Sequence, residues 1–465
     1  MKYTSTRGNT QPTNFSDAVI MGLASDGGLL LPEMIPDISQ NLADLQNLSY
    51  SELALEIISL FATDIPREEL KEMIDRSYST FDHKEVAPSV KVGDLYILEL
   101  FHGPTLAFKD LALQFLGNLF EYILKKRGGK LNILGATSGD TGSAAIEGIK
   151  GKENINIFIM HPYKRVSPVQ EQQMTTVLDK NVYNIAIEGS FDDGQYIFKE
   201  IFGDLDFKNK YSLGAINSVN WARIVAQIVY YFYAAFRVCK ETGKDKVQFC
   251  VPTGNFGDIF AGYIALKMNA PISRLILASN ENDILCRFFN TGEYSRKGLK
   301  QTHSPSMDIE IASNFERYLY LHLNKDSSKI NKLFEEFNKT KSICLPTKEK
   351  YGVDKDIISG SCNTQETLST IKSVYEKHNY LLDPHTAVGF HTAKKISQIF
   401  KESDAPIICL ATAHPAKFNN AITKALNKDI AKHPTIEALS NLPTRCKKMK
   451  ASVQKVKEYI EKCVD

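Results

Sequence analysis

The sequence carries almost no surplus of charge, because 56 lysines and arginines face 54 aspartates and glutamates in 465 residues. The net charge of +2 gives no basic field for nucleic acid and no acidic tail for a basic partner. No apolar run approaches the ~20 residues that span a bilayer, and residues 1–19 contain no apolar signal-peptide core. These absences predict a cytoplasmic protein that binds neither nucleic acid nor a membrane.

Signatures of disulfides and metal sites are also missing. None of the eight cysteines belongs to a CxxC pair, so reduced, mostly structural thiols are expected. The ten histidines include no HExxH motif, and His385 and His391 are six positions apart, which does not stack on one helix face. We therefore predict no metal site.

Two kinds of periodicity divide the chain. Amphipathic helical patterns at 51–61 and 67–78 predict an α-rich N-terminal region. From a predicted strand at 92–100 onward, apolar strands alternate with helices. This alternation predicts an α/β fold of doubly wound, mostly parallel sheets, whose ligands lie beyond the carboxyl ends of the strands.

The predicted organisation has two α/β domains that form a cleft. A polar, lysine-rich stretch inside the second domain predicts a helical insertion with no assigned chemistry. The predicted divisions are an N-terminal region 1–92, a first domain 93–215, a second domain 216–426 with the insertion at about 295–380, and a C-terminal tail and helix 427–465.

One lysine stands in an apolar window. Lys109 follows Leu106 and Phe108 and precedes Leu111 and Leu113, at the start of a predicted helix. A buried ammonium is costly, so such a lysine finds a partner, loses its proton or becomes covalently bound, as in a Schiff base with pyridoxal phosphate (PLP). The alternative is a snorkelling lysine with its stem on the core and its head in water.

Two turns between a strand and a helix have the composition of anion sites. The turn 253–258, TGNFGD, lets backbone N–H groups converge at a helix N-terminus, which suits a phosphate. The turn 137–142, TSGDTG, adds hydroxyls at another helix start, which suits a carboxylate. The alternatives are a tight connection for the first turn and N-capping for the second. Neither GxGxxG nor GxxxxGK[ST] occurs, which disfavours a nucleotide fold.

Two further clusters complete a candidate site. Asn217, Ser218 and Arg223 form a possible second anion site, with a helix cap and a surface arginine as the alternative. Thr412 is the last residue of a predicted strand, 406–412, and threonines at strand ends usually pack or cap. These features occur together in one chain: Lys109, the hydroxyl-rich turn 137–142, the glycine-rich turn 253–258 and Thr412. Together they supply the groups needed to hold PLP and an amino acid.

These segments resemble the threonine synthases of the long-chain bacterial and fungal type, within the fold-type II PLP enzymes related to the tryptophan synthase β chain. The resemblance spans nearly the whole chain, and 295–380 matches least clearly. The matching motifs are HGPTLAFKD (102–110), TSGDTG (137–142), NSVNWAR (217–223) with Gln227, PTGNFGD (252–258), DPHTAVG (383–389) and TAHPAKF (412–418), besides the segments 15–32 and 166–170.

The resemblance implies a role for each part of the candidate site. Lys109 would form the Schiff base with the cofactor and move protons, and Thr412 would bond to the pyridine nitrogen. The residues expected at the cofactor phosphate are Gly254, Asn255, Phe256, Gly257 and Asp258. The residues expected at the substrate are Thr137, Ser138, Gly139 and Thr141 for its carboxylate, and Asn217, Ser218 and Arg223 for its phosphate.

The implied activity is that of a lyase in threonine biosynthesis, which converts O-phospho-L-homoserine and water into L-threonine and phosphate. Many fold-type II enzymes have asparagine where this chain has Asp140, and the partner of Asp140 stays open. A monomer or weak homodimer is expected. The alternatives are another fold-type II enzyme, such as a serine/threonine dehydratase or a β-replacement enzyme, and a catalytically silent or nucleotide-binding protein.

Overall fold

The computed structural model describes residues 1–347, 352–399 and 404–464, so residues 348–351 of the predicted insertion lie outside the described residues. Strands are numbered along the chain. The strands are β1 (Tyr3–Ser5), β2 (Leu30–Pro32), β3 (Ser89–Val92), β4 (Leu95–Glu99), β5 (Leu131–Ala136), β6 (Ile155–Pro162), β7 (Val182–Glu188), β8 (Leu213–Ala215), β9 (Val247–Pro252), β10 (Ile272–Ser279), β11 (Glu293–Ser295), β12 (Ser342–Cys344), β13 (Ile357–Ser361), β14 (Ile407–Ala411) and β15 (Lys447–Lys450).

Helices are numbered in the same way. The α-helices are α1 (Phe15–Met21), α2 (Leu42–Leu45), α3 (Tyr50–Ser59), α4 (Arg67–Tyr78), α5 (Lys109–Arg127), α6 (Asp140–Ile149), α7 (Pro168–Thr175), α8 (Phe191–Gly203), α9 (Leu205–Lys210), α10 (Trp221–Thr242), α11 (Gly257–Lys267), α12 (Ile284–Thr291), α13 (Phe315–His322), α14 (Ser327–Thr340), α15 (Thr364–His378), α16 (Pro384–Ile399), α17 (Asn419–Leu426), α18 (Pro434–Leu439) and α19 (Val453–Val464). Short 3₁₀ helices cover Ser39–Asn41, Pro305–Met307 and Pro415–Phe418.

Two parallel sheets form the framework and confirm the predicted fold class. The larger sheet has the order β13-β10-β9-β14-β4-β3, in which β3 alone is antiparallel to its neighbour. The smaller sheet has the order β15-β7-β6-β5-β8 and is parallel throughout. The strands that precede the predicted anion turns and Thr412 therefore end at the carboxyl edges of these sheets.

Helix α10 is the central buried element. Nearly all of its side chains are buried, because apolar and aromatic residues occupy every face, and it packs against α3, α5 and α11. Among the described residues, no helix combines the length and hydrophobicity of a membrane span.

The predicted single strand at 92–100 is wrong in one respect. The chain makes a hairpin there, with Val92 of β3 opposite Leu95 of β4. Gly93 has a φ of +66°, which permits the tight turn that an extended strand excludes. Strand β4 also lies in the larger sheet beside β14, although its residues fall in the predicted first domain.

The predicted helical insertion at 295–380 is partly wrong. Helices α13, α14 and α15 are present, but β13 is an edge strand of the larger sheet, and α15 packs on α16. The five-residue strand Ile357–Ser361 gave too short an apolar signal to be recognised.

The C-terminal tail also contains an unpredicted strand. The helix expected at its end is present as α19, but β15 pairs with β7 at the edge of the smaller sheet. Its sequence is Lys-Lys-Met-Lys, and lysines are common on edge strands because they oppose pairing with other chains. The strand was not predicted because its sequence lacks the alternation of apolar and polar residues. The domain boundaries themselves stay a prediction.

Helices α5 and α6 touch backbone to backbone. A Cβ at Gly117 would lie 2.0 Å from the Gly148 carbonyl oxygen, and a Cβ at Gly148 would lie 2.4 Å from the Leu113 oxygen. Helix α5 begins at Lys109 and helix α6 begins at Asp140, and both residues line the same cleft. The two glycines thus fix the spacing of these two side chains.

Gly117→Ala is expected to destabilise the protein by about 1–3 kcal/mol, because the new methyl group overlaps a carbonyl of the neighbouring helix. Chemical denaturation measures the free energy of unfolding. Gly203→Ala is the matched control, since among the described residues no atom outside its own helix segment lies within 4 Å of a Cβ at that position. Equal stability of the two variants would contradict the close contact.

Candidate active site

A cleft of about 840 Å³, including space open to solvent, lies at the carboxyl ends of β5, β9 and β14. Ligands of open α/β sheets bind at such edges. The cleft is lined by Phe108, Lys109, Ser138, Asp140, Thr141, Ser218, Arg223, Gln227, Pro252, Thr253, Gly254, Asn255, Phe256, Gly257, Asp258, Ser306, Met307, His385 and Thr412.

Two loops that are distant in sequence pair to position Lys109. Ala107 forms an antiparallel bridge with Ala413, and the Phe108 N–H donates to the Thr412 carbonyl at 2.8 Å. Lys109 follows at once as the first residue of α5. The motifs around residues 102–110 and 412–418 therefore bring the lysine and the threonine into one cleft.

The Lys109 amine is buried, with 9% of the residue exposed. Its Nζ lies 3.5 Å from Asp140 Oδ2 and 4.7 Å from the centre of the Phe108 ring. Burial lowers the pKa of Lys109 against the opposing charge of Asp140, and the nearby charges of Lys417 and Arg223 lower it further. The snorkelling alternative is therefore wrong, and burial with a lowered pKa is the environment that favours a lysine nucleophile or base.

Asp140, whose partner the sequence left open, pairs with a second buried lysine. Lys417 Nζ lies 2.9 Å from Asp140 Oδ1 and donates to the Thr105 carbonyl at 2.7 Å, while Gln170 Nε2 donates to Asp140 Oδ1 at 2.8 Å. Burial by itself would raise the pKa of Asp140, but Lys417 and Lys109 hold that pKa well below its usual range. Asp140 is therefore a fixed negative charge between two amines.

The predicted phosphate turn lies at the cleft with the expected helix behind it. Phe256 adopts a left-handed φ of +65° as the N-cap of α11, and its ring packs on Phe315 and Phe289 in the core. The first N–H groups of a helix have no intrahelical partner and are available to an anion. A Cβ at Gly254 would lie 2.5 Å from the Ser306 oxygen, so glycine is required there.

Asp258 differs from the other members of this turn. Its Oδ1 accepts hydrogen bonds from Tyr230 at 2.5 Å and Tyr231 at 2.8 Å. Burial raises the pKa of Asp258 to about 6 against the effect of the two tyrosines. With its carboxylate held by these phenols, Asp258 can contribute only its backbone N–H to a phosphate.

The turn 137–142 divides into residues that shape it and residues that face the cleft. Thr137 Oγ1 accepts from the N–H groups of Gly139 at 3.0 Å and Gly142 at 2.9 Å, as the capping alternative predicted. Gly139 has a φ of +145°, and a Cβ there would lie 2.3 Å from a Gln170 atom. Ser138 and Thr141 line the cleft.

The second anion cluster is only partly at the cleft. Ser218 and Arg223 line it, whereas Asn217 does not, and Asn217 Oδ1 accepts from the Val219 N–H at 3.2 Å. Arg223 is 4% exposed, and its Nε and Nη1 have no partner among the described residues. Burial lowers the pKa of Arg223 to about 10, so it remains charged at neutral pH. The surface-arginine alternative is therefore wrong.

His385 and Ser306 reach the cleft without a role assigned from the sequence. The Ser306 N–H donates to His385 Nε2 at 3.2 Å, so the ring proton lies on Nδ1 and is donated to Asp383 Oδ1 at 2.8 Å. Five polar residues at or beside the cleft were not assigned a role from the sequence. Most of them belong to the motifs that carry the family resemblance, where a polar residue among apolar neighbours would have indicated a buried functional group. The missed residues are Gln170, Gln227, Ser306, His385 and Lys417.

The part of the chain that the structure describes also contains one group with metal-ligand spacing. Ligand atoms of Cys362, Glu366 and His391 lie within 4.8 Å of one another. None of the three lines the cleft. The expected absence of a metal site stays a prediction.

The residues at the cleft fit PLP. They combine a buried amine of lowered pKa, a glycine-containing turn at a helix N-terminus, an uncharged hydroxyl on Thr412, and a buried guanidinium with unpartnered nitrogens. Together with the two parallel sheets, these features define a PLP-dependent enzyme of fold type II.

Comparisons with known proteins give the same class. Residues 82–330 match the family described as "Pyridoxal-phosphate dependent enzyme", residues 2–78 match "Threonine synthase N terminus", and residues 386–460 match "Threonine synthase, C-terminal". The chain is 46% identical to the threonine synthase of Schizosaccharomyces pombe over 461 residues, covering 92% of this chain and 90% of that protein.

Two further relatives cover almost the whole length. The threonine synthase of Saccharomyces cerevisiae is 46% identical, covering 99% of this chain and 97% of that protein. The PLP-bound threonine synthase structure from Brucella melitensis superposes with a TM-score of 0.94 at 42% identity, covering 100% of this chain and 99% of that one. The chain belongs to the threonine synthase family, and PLP is its cofactor.

Borohydride reduction of the holoenzyme is expected to fix the cofactor on Lys109, because that amine has a lowered pKa and its contact with Asp140 is a long one, at 3.5 Å. Peptide mapping by mass spectrometry locates the attachment. Lys417 is the competing buried amine, but Asp140 and the Thr105 carbonyl already bind it. The Lys109→Ala variant should carry no label, and label on Lys417 would contradict the assignment.

Proposed function

We propose that the enzyme converts O-phospho-L-homoserine and water into L-threonine and phosphate. The observation that carries this proposal is the buried guanidinium of Arg223, with Nε and Nη1 unpartnered among the described residues. An unpaired buried charge is destabilising, so its retention is explained by a bound anion. Because the turn 254–258 supplies a separate site for the cofactor phosphate, Arg223 is left for the phosphate of the substrate.

The carboxylate of the substrate is proposed to lie at the start of α6. Ser138 and Thr141 offer hydroxyls to the cleft, and the N-terminus of a helix adds N–H groups and partial positive charge. Thr137 and Gly139 act indirectly, since the first caps the turn and the second gives it its left-handed conformation.

The cofactor is proposed to lie between the turn 254–258 and Thr412. The N–H groups of Gly254, Asn255, Phe256, Gly257 and Asp258 would hold its phosphate. The Thr412 hydroxyl would bond to the ring nitrogen, and an uncharged hydroxyl would not enforce protonation of that nitrogen. When bound, PLP supplies an electron sink for charge that develops on the substrate carbons.

Lys109 Nζ is proposed to take and return the protons of the reaction. A lowered pKa favours the neutral amine, which is the form that accepts a proton. Asp140 Oδ2, 3.5 Å away, stabilises the ammonium once it forms. Lys417 keeps Asp140 ionised, so the carboxylate does not compete for the same proton.

Departure of the substrate phosphate is proposed to depend on Arg223 and Ser218. A guanidinium in a water-poor cleft stabilises developing phosphate charge far more than it would in bulk water. Asn217 lies outside the cleft lining and is proposed to act through its turn, because its Oδ1 accepts from the Val219 N–H.

All eight cysteines are free, which supports a reducing compartment, and we propose that the enzyme acts in the cytoplasm. A monomer or weak homodimer stays a prediction.

Purified holoenzyme supplied with O-phospho-L-homoserine is expected to release phosphate and L-threonine in equal amounts. Phosphate is measured colorimetrically and threonine by chromatography. Serine and threonine carry no γ-phosphate, so little ammonia should be released from either. Ammonia and an oxoacid from these substrates, without threonine made from phosphohomoserine, would overturn the proposal in favour of a dehydratase.

Arg223→Ala is expected to lower kcat/KM for phosphohomoserine by roughly a hundredfold or more, because a desolvated charge pair with the substrate is lost. Cofactor affinity and thermal stability should not fall, since neither Nε nor Nη1 of Arg223 has a partner in the part of the chain that the structure describes. Arg237→Ala, on the same helix but bound to loop carbonyls, is the control. If Arg223→Ala lost cofactor binding and substrate binding equally, the assignment of Arg223 to the phosphate of the substrate would be wrong.

A further inference from the structure

Residues at the start of α13 lie between the two proposed phosphate sites. This stretch belongs to the predicted insertion, to which no chemistry was assigned, yet it contacts both the cofactor turn and the substrate turn. These contacts form a bridge between the two turns, made by Ser313, Asn314 and Arg317.

Asn314 is fully buried and touches both turns through one amide. Its Nδ2 donates to the Ser218 carbonyl and to the Asn255 carbonyl, each at 3.2 Å, and its backbone N–H also donates to the Asn255 carbonyl at 3.0 Å. A Cβ at Gly257 would lie 3.2 Å from this Nδ2, so glycine leaves room for the amide.

Arg317 fixes the orientation of that amide. Its Nη1 donates to Asn314 Oδ1 at 2.7 Å, which forces Nδ2 toward the two carbonyls. Its Nη2 donates to the Val219 carbonyl at 2.5 Å, and its Nε and Nη2 donate to the Leu30 carbonyl at 3.1 and 2.9 Å. The buried guanidinium stands 5.5 Å from the Trp221 ring, so carbonyls and an aromatic face surround it.

Ser313 adds a side-chain link between the same two turns. Its hydroxyl lies 3.3 Å from Asn255 Oδ1, which accepts from it, and 2.8 Å from the Ser218 hydroxyl, where either oxygen can be the donor. Asn255 and Ser218 are proposed ligands of different phosphates, and both contact Ser313. The two anion sites therefore share a backbone bridge through Asn314 and a side-chain bridge through Ser313.

We propose that Asn314, oriented by Arg317, is a positioning residue that joins the cofactor-phosphate turn to the substrate-phosphate turn as one unit. This inference rests on the proposed function. Ordering of the first turn by the cofactor then also orders the second turn before the substrate arrives. Coupling between two sites through a shared ordered element follows from linkage.

Asn314→Asp tests the bridge with almost no change of volume. The carboxylate keeps an acceptor for Arg317, but it places oxygen instead of N–H₂ against the two carbonyls. Asn314→Ala is the second variant, and it removes the bridging group outright. Asn132→Asp is the matched control, because that buried amide donates to the Tyr211 carbonyl at the far end of β5.

Hydrogen exchange measures the coupling without any turnover. In the wild type, cofactor loading is expected to slow exchange at 217–220 roughly tenfold, along with exchange at 254–258. In Asn314→Asp the effect at 217–220 should be lost while that at 254–258 persists. Undiminished protection of 217–220 in this variant would overturn the proposal.

Binding constants provide a second measurement. Loss of two hydrogen bonds predicts that Asn314→Asp and Asn314→Ala weaken cofactor binding and raise KM for phosphohomoserine, each roughly tenfold, while Asn132→Asp changes neither. A change confined to one constant, or an equal change in the control, would contradict the bridge. Absence of turnover by the wild type would instead overturn the proposed substrate, and hydrogen exchange would still decide the inference.

Discussion

The arrangement of the site depends on one carboxylate that contacts two buried amines. Asp140 lies 2.9 Å from Lys417 and 3.5 Å from Lys109, and all three residues are buried. Lys417 makes the closer contact with the ionised carboxylate, so Lys109 Nζ keeps only the longer one. Burial is the largest influence on the pKa of Lys109, which it lowers.

The architecture around these charges separates positioning from chemistry. Backbone contact between α5 and α6 at Gly117 and Gly148 fixes the helices that begin with Lys109 and Asp140. Asn314 and Arg317 hold the two proposed anion turns in place through backbone carbonyls. Arg223 differs from them, since its buried Nε and Nη1 have no partner among the described residues, which is a cost in stability.

Much of this arrangement was readable from local sequence. Lys109 in its apolar window and the glycines after β9 are local signals, and the strand-turn-helix order places them at one edge of a sheet. The role of Lys417 could not be predicted in the same way, because its partner Thr105 is 312 positions away and only the folded chain brings them together. Strand β15 was missed for a related reason. Its lysines indicate an exposed segment, but nothing in its local sequence indicates that it pairs with β7.

That last pairing bears on how the chain folds. Strand β7 ends at residue 188, whereas its neighbour at the sheet edge, β15, spans residues 447–450. The smaller sheet is therefore complete only after the late part of the chain has been synthesised. Until then β7 is an open edge that is free to pair with other chains. Contacts of such large sequence separation slow folding, and the nascent protein therefore has a long interval in which it needs protection from aggregation.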